Sequence, residues 1–216
     1  MMWARWSGTF DKLLVFSLTE YDKLVFIDSD MMVLGNLDGL FDCPHMSACC
    51  DGLYDKVNLN SGLMVIEPTD DEDQMKRMLE LTDVLSQDKQ ARGDQDVIRA
   101  LYPEWSKDER LHLPVSYNTF IDEAARNCSK LGYDIDAGGE KSVRVVHFIG
   151  PDKPWFQGKA LKWKIYNFVY RRKMRAKGRK EHKNNIVTRI FRKYDFFLKS
   201  VNKKLRDVGV EIYELN

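Results

Sequence analysis

The chain has 216 residues, 44% of them hydrophobic and 31% charged, with a formal net charge of +1. That is ample apolar content for one globular core, and no apolar run approaches the ~20 residues of a membrane helix. Residues 1–6 lack the apolar core of a secretory signal, and Cys43, Cys49, Cys50 and Cys128 show neither paired metal spacing nor a disulfide-rich pattern; both fit a cytoplasmic setting.

Residues 10–20 read as a short helix leading into residues 24–34, where an apolar run drives into Asp28 and Asp30. β-Branched and aromatic residues there predict a buried strand of a parallel sheet. Alternation along such a strand points Asp28 and Asp30 the same way and Ser29 the other. Two like charges on one side call for a hard divalent cation with oxygen ligands. The plainer alternative is a polar turn in which Asp30 caps the next element. Gly35-Asn36 breaks the extended segment, residues 37–41 read as one helical turn, and residues 46–50 as a short strand. Residues 59–66 form a second buried strand, closed by Glu67-Pro68. Residues 70–85 carry apolar side chains at helical spacing behind an acidic start that suits the helix dipole. A further helix, 94–102, stops before Pro103. Residues 111–114 are extended, 134–141 form a glycine-containing loop, and 143–148 a third apolar strand.

Near Gly158 the charge changes character. Lys and Arg crowd residues 159–206, which hold only Glu181 and Asp195 as acids, so residues 1–158 are net acidic. Leu161, Ile165, Phe168 and Val169 form one helical stripe. A charged connector spans 171–185, and residues 187–208 form an amphipathic helix. The expected organisation is a body, 1–158, and a basic helical tail, 159–216. Such a tail suits an anionic membrane surface, making the protein peripheral. It equally suits packing on the body or on a second copy as a homodimer. Nucleic acid is disfavoured, because no base-reading motif accompanies the charge.

Four stretches can carry chemistry. Asp28 and Asp30 are the first. Asn60-Ser61-Gly62, at the start of the second strand, offers hydrogen bonds to sugar hydroxyls and a backbone that a ligand can approach, although a small polar turn explains it as well. Gly93-Asp94-Gln95 precedes a helix, where Asp94 would serve as N-cap or sit in a cleft beside Gln95. The segment 147–155 is densest. His147 ends the third strand, on the same sheet edge as the two acids if the strands are parallel, and imidazole is an acceptable Mn2+ ligand. Gly150 lets a phosphate come close and Lys153 offers it a compact positive charge. Asn127-Cys128-Ser129 is a formal glycosylation sequon, expected to be idle.

Asp28-Ser29-Asp30, Asn60-Ser61-Gly62, Gly93-Asp94-Gln95, Leu113-Pro114 with Tyr117-Asn118, and the pattern from His147-Phe148 through Lys153-Pro154-Trp155 stand in the order found in glycogenin-like, family 8 retaining glycosyltransferases, which the chain resembles from about Trp6 to Trp155. The resemblance implies an α/β, GT-A-type fold with a mostly parallel sheet flanked by helices. It implies that Asp28, Asp30 and His147 hold Mn2+ or another divalent cation on the diphosphate of a UDP-sugar. Asn60, Ser61, Gly62, Asp94 and Gln95 would serve the donor sugar, and Gly150 and Lys153 the diphosphate. The reaction would move a hexose, glucose first, to a hydroxyl of a saccharide or protein acceptor. Two departures stand out. Many glycogenins carry an acid where this chain has Ala91, and the family normally starts with two β-α units before the carboxylate strand, so this chain is expected to be N-terminally incomplete, marginally stable and a weak binder of UDP. No self-glucosylated tyrosine is identifiable; Tyr166, Tyr170 and Tyr194 are tyrosines of the tail.

Two other classes compete. One is a degenerate transferase serving as a binding module. The other is an aspartate-nucleophile phosphatase, since an apolar strand before Asp-x-Asp suits an aspartyl-phosphate mechanism. The phosphatase pattern expects Thr where this chain has Met32, and it gives the 147–155 segment no role.

Overall fold

A computed structural model describes residues 7–53, 55, 57–87, 93–150, 153–156 and 185–210. The stripe at 161–169, Tyr166, Tyr170, Ala91, most of the 171–185 connector and the expected body–tail boundary all lie outside the described residues. In chain order the strands are β1 (Leu24–Ile27), β2 (Met31–Val33), β3 (Ala48–Cys50), β4 (Leu59–Ile66), β5 (His112–Leu113), β6 (Thr119–Phe120) and β7 (Val145–His147). The α-helices are α1 (Glu72–Ser86), α2 (Asp94–Leu101), α3 (Ala124–Leu131) and α4 (Ile186–Asp207). The chain forms two compact units: Met1–Met31 with Asn36–Asn118, and Met32–Gly35 with Thr119–Asn216.

The first unit is built on β4. All eight of its residues are buried, as a strand covered on both faces requires. The sheet runs β1-β4-β3-β5. β1 pairs antiparallel with β4, from Leu24 opposite Ile66 to Ile27 opposite Leu63; β3 also pairs antiparallel with β4, and only β3–β5 is parallel. The mixed α/β class with helix-flanked sheets holds and is consistent with a GT-A-type fold, but the expected mostly parallel sheet is corrected here. The connection 51–58 between β3 and β4 is too short for the crossover that parallel neighbours need. β1 is also only half-buried throughout; an apolar run did not make it a central strand.

The core of this unit joins Phe16, Met64, Ile66, Met78 and Ile98, all within 2% of full burial. Trp105 brings its indole N–H inside only by donating to the Met46 carbonyl at 2.9 Å. α1 starts where Asp71 caps it, accepting from the backbone N–H of Asp73 at 3.0 Å and of Gln74 at 3.3 Å. α2 starts differently. Gly93 holds the N-cap position at φ 91°, a left-handed conformation that suits glycine. Asp94 is therefore the first helical residue and not the cap, and its carboxylate engages Ser61 and Lys12 instead.

The second unit has a sheet of order β2-β7-β6, with β6 and β7 parallel. The Leu34 N–H continues the pairing by donating to the Arg144 carbonyl at 2.7 Å. α4 begins at an Asn185 cap that accepts from Val187 N–H at 2.9 Å. Its first turns bury Ile186 and Ile190 against Ala124, Val146 and Phe148. Burial of each such side chain contributes about 1.5–3 kcal/mol. The amphipathic helix expected at 187–208 is thus present within a residue at each end. Its later apolar residues are not covered: Phe197, Val201 and Val208 are 39%, 51% and 74% exposed. Asn127 is fully buried, so the sequon is closed in the folded chain. Among the described residues no helix is long and apolar enough to cross a membrane.

Candidate functional site

The buried polar face of the first unit begins with β4. Its first residues after Leu59 are Asn60 and Ser61, 8% and 4% exposed, and buried polar groups are costly unless paired. Both are fully engaged. Asn60 donates from Nδ2 to Asp51 Oδ1 at 3.1 Å and to Gln95 Oε1 at 3.2 Å. Its Oδ1 accepts from Gly62 N–H at 3.0 Å and from Asn118 Nδ2 at 2.7 Å. Those four bonds exhaust the capacity of a primary amide. Ser61 donates from Oγ to Asp94 Oδ2 at 2.8 Å, and its N–H donates to Gln95 Oε1 at 3.1 Å.

The centre of this network is Lys12, which no motif in the sequence singles out. It projects from the 3-10 helix Ser7–Ser17. Its Nζ lies 2.9 Å from Asp28 Oδ1 and 2.8 Å from Asp94 Oδ2, with the three side chains 12%, 26% and 8% exposed. It also donates to Ser61 Oγ at 3.2 Å. Burial disfavours the ammonium, but Asp94 and then Asp28 outweigh burial and hold its pKa above the ordinary lysine value. A second cation, Arg99 on α2, is equally silent in the sequence. Its guanidinium bonds the Leu59 carbonyl at 3.1 and 2.8 Å and Asp51 Oδ2 at 3.0 Å. The local signals are slight: a lysine in a mixed helix, and an acid just past a short strand.

Asp28 and Asp30 do not sit on one strand. β1 stops at Ile27, and residues 28–31 turn, with Met31 N–H donating to the Asp28 carbonyl at 3.2 Å. The strand-alternation reason for their convergence therefore fails. β2, which begins directly after Asp30, and β7, which ends at His147, lie in one sheet of order β2-β7-β6. Asp28 and Asp30 belong to the first unit and His147 to the second. His147 is buried, packed edge-on to Phe120 at 5.5 Å between ring centroids. Beyond it, Gly150 takes φ 78°, and Lys153 folds back so that its Nζ donates to the Phe148 carbonyl.

The profile of the family described as "Glycosyl transferase family 8" matches residues 7–158. The chain belongs to that family. Human glycogenin-1 is 34% identical over 148 residues, which cover 68% of this chain and 39% of glycogenin-1. The UDP-glucuronate:xylan alpha-glucuronosyltransferase 2 of Arabidopsis thaliana is 33% identical over 153 residues, 68% of this chain and 23% of that protein. Among solved structures, the apo-form glycosyltransferase GlyE of Streptococcus pneumoniae TIGR4 is similar at 25% identity and a TM-score of 0.49, covering 69% of this chain and 39% of GlyE. The chain thus spans well under half the length of each. Family 8 is a family of transferases that act with a sugar-nucleotide donor and an acceptor and are generally metal-dependent.

Proposed function

We propose that this chain carries the donor site of a Mn2+-dependent retaining transferase that moves a hexose, glucose first, from a UDP-sugar to a hydroxyl of a saccharide or protein acceptor. The observation that carries the reading is the Asp94 carboxylate, buried at the start of α2 and held by both Lys12 and Ser61. A buried acid with that support suits a positive charge developing on a sugar ring.

Two carboxylates and an imidazole make a donor set suited to a borderline-hard divalent ion, so Asp28, Asp30 and His147 fit Mn2+. When bound, that ion would supply Lewis-acid stabilisation of the departing diphosphate. Lys153 and the close-approach backbone at Gly150 would take the phosphate oxygens. Asp94 would stabilise the cationic sugar, Lys12 would hold Asp94 and Asp28 in place, and Gln95 and Ser61 would orient hydroxyls. Asn60, whose amide is spent within the protein, would act by fixing Gln95. Retention of configuration rests on the resemblance alone.

Titration calorimetry with UDP, with Mn2+ and with a chelator, tests this reading together with UDP release from UDP-glucose. Mn2+ should tighten UDP binding, and Asp30→Ala should remove that gain. Equal binding in chelator, or phosphate released from simple phosphomonoesters, would overturn it.

We also propose that the exposed apolar face of α4, flanked by Lys199, Lys203, Lys204 and Arg206, rests on an anionic membrane surface. Flotation with anionic vesicles tests it, and concentration-dependent self-association without flotation would favour a homodimer instead.

A further inference from the structure

Around the proposed donor-sugar residues of the first unit, the cations among the described residues are already committed to the protein's own carboxylates. Lys12 is shared by Asp28 and Asp94. Arg99 is held by Asp51 at 3.0 Å and flanked by Asp96 at 3.7 Å. Asp51 in turn receives the Asn60 amide at 3.1 Å and the Gln95 amide at 3.4 Å. Asp51 therefore does two things at once. It aligns the two amides proposed to serve the sugar, and it occupies a guanidinium that would otherwise be suited to a ligand carboxylate.

This matters because a relative is named for UDP-glucuronate, and a hexuronate differs from a neutral hexose by one carboxylate. Arginine is the side chain best shaped to take a carboxylate, through two parallel hydrogen bonds. Here the protein fills that role itself. A sugar carboxylate would meet Asp51 and Asp94 with their cations already engaged, and like charges brought together in a desolvated site repel strongly.

We propose that the Asp51–Arg99 ion pair is a specificity-determining element that turns this site against a hexuronate donor and toward a neutral hexose. The inference rests on the sugar-nucleotide reading above. Asp51 is a positioning residue in this scheme, acting through Arg99, Asn60 and Gln95.

The test compares kcat/KM for UDP release from UDP-glucose and from UDP-glucuronate, on the full chain with saturating Mn2+, with UDP affinity measured alongside. The wild type should favour UDP-glucose by about a hundredfold, the scale at which a misfit of this kind discriminates. Asp51→Asn keeps the shape and an acceptor for the Asn60 amide, gives up the acceptor of the Gln95 amide, and drops the charge that holds Arg99. It should cut the preference at least tenfold while UDP affinity stays the same. Arg99→Gln does the reverse: it removes the cation, leaves Asp51 unbalanced, and should raise the preference at least threefold. A purely structural role would lower both donors together and leave the ratio alone, which would overturn the proposal. If Asp51→Asn does not fold by circular dichroism, Arg99→Gln decides, and an unchanged or reversed preference overturns it. Intact Mn2+-dependent UDP binding with unmoved ratios sinks this inference alone. Absence of UDP binding and of UDP release from both donors sinks the underlying reading, and this inference with it.

Discussion

In the first unit Lys12 is 12% exposed and bridges Asp28 and Asp94. In the second, Arg189 is 24% exposed and grips Asp134 at 2.6 Å, with Asp136 as a further partner that Lys193 shares at 2.7 Å. The residue types are alike, and the environments are not. Around Lys12, desolvation works against the charge and the acids must overcome it. Around Arg189, direct hydrogen bonds from the guanidinium come first, and they draw Asp134 and Asp136 below the ordinary carboxylate range. An ion pair that solvent can reach is worth at most about 1 kcal/mol. A buried pair contributes little net, but losing one partner strands the other. The inner network therefore looks like a device for holding charges at fixed points, and the outer one like a strap that fixes the start of α4.

Removing Lys12 breaks that contrast most severely. Lys12→Met leaves Asp28 and Asp94 facing each other without their cation. We expect a loss of about 3–5 kcal/mol in urea unfolding and a fall in UDP release of roughly a hundredfold or more. The pH response gives an independent sign. The folded pKa of Lys12 lies above the reference 10.5, so its contribution is complete below that value and fades as pH rises through the higher folded value. Wild type should lose stability above about pH 10.5, and Lys12→Met should lack that step. A Lys12→Met protein with wild-type turnover would show the bridge to be incidental.

Next in size is the apolar anchor of the outer strap. Ile190 is fully buried, and Ile190→Ala should cost about 2–5 kcal/mol by the lost burial and the cavity left behind. If it costs less than Arg189→Ala, the ion pairs and not the core hold α4.

The elements that were legible in the sequence are those whose own residues carry the signal. β4 is a continuous apolar run behind Asn-Ser-Gly, and α1, α2 and α4 have helical periodicity and caps nearby. The strand directions were not legible, because nothing local in 24–27 says which way its neighbour runs. Strand alternation was the reason to expect Asp28 and Asp30 on one side, and they stand instead in a turn that breaks the strand. Lys12, Asp51 and Arg99 were missed for the same reason. Each is ordinary in its own segment and becomes significant through partners distant in the chain.

Arg189→Ala should cost less, about 1 kcal/mol or below, since its partners are 39% and 52% exposed. Its sign in acid is fixed. Asp134 and Asp136 have depressed folded values, so their contribution is present above the unfolded carboxylate pKa near 3.9 and disappears as pH falls through the folded values. Thermal melts should therefore separate wild type from Arg189→Ala at pH 6 and merge them well below pH 4. High salt at pH 6 should narrow the gap as well, because solvent-exposed pairs are screened. A gap that persists in acid would mean that Arg189 acts through packing of its stem.

The smallest effect belongs to the far half of α4, where the stripe that buries Ile190 runs on uncovered through Phe197 and Val201. An exposed side chain that touches little changes stability by about 0.5 kcal/mol or less when replaced. Phe197→Ser and Val201→Ser should each fall inside that limit at low protein concentration without lipid. The same changes should abolish flotation with anionic vesicles, since the apolar face and not the lysines alone anchors such a helix. The two readouts together make the test sharp. A stability loss well beyond 0.5 kcal/mol that grows with protein concentration would mean that a second copy covers the stripe. Unchanged flotation would mean that the basic residues act without it.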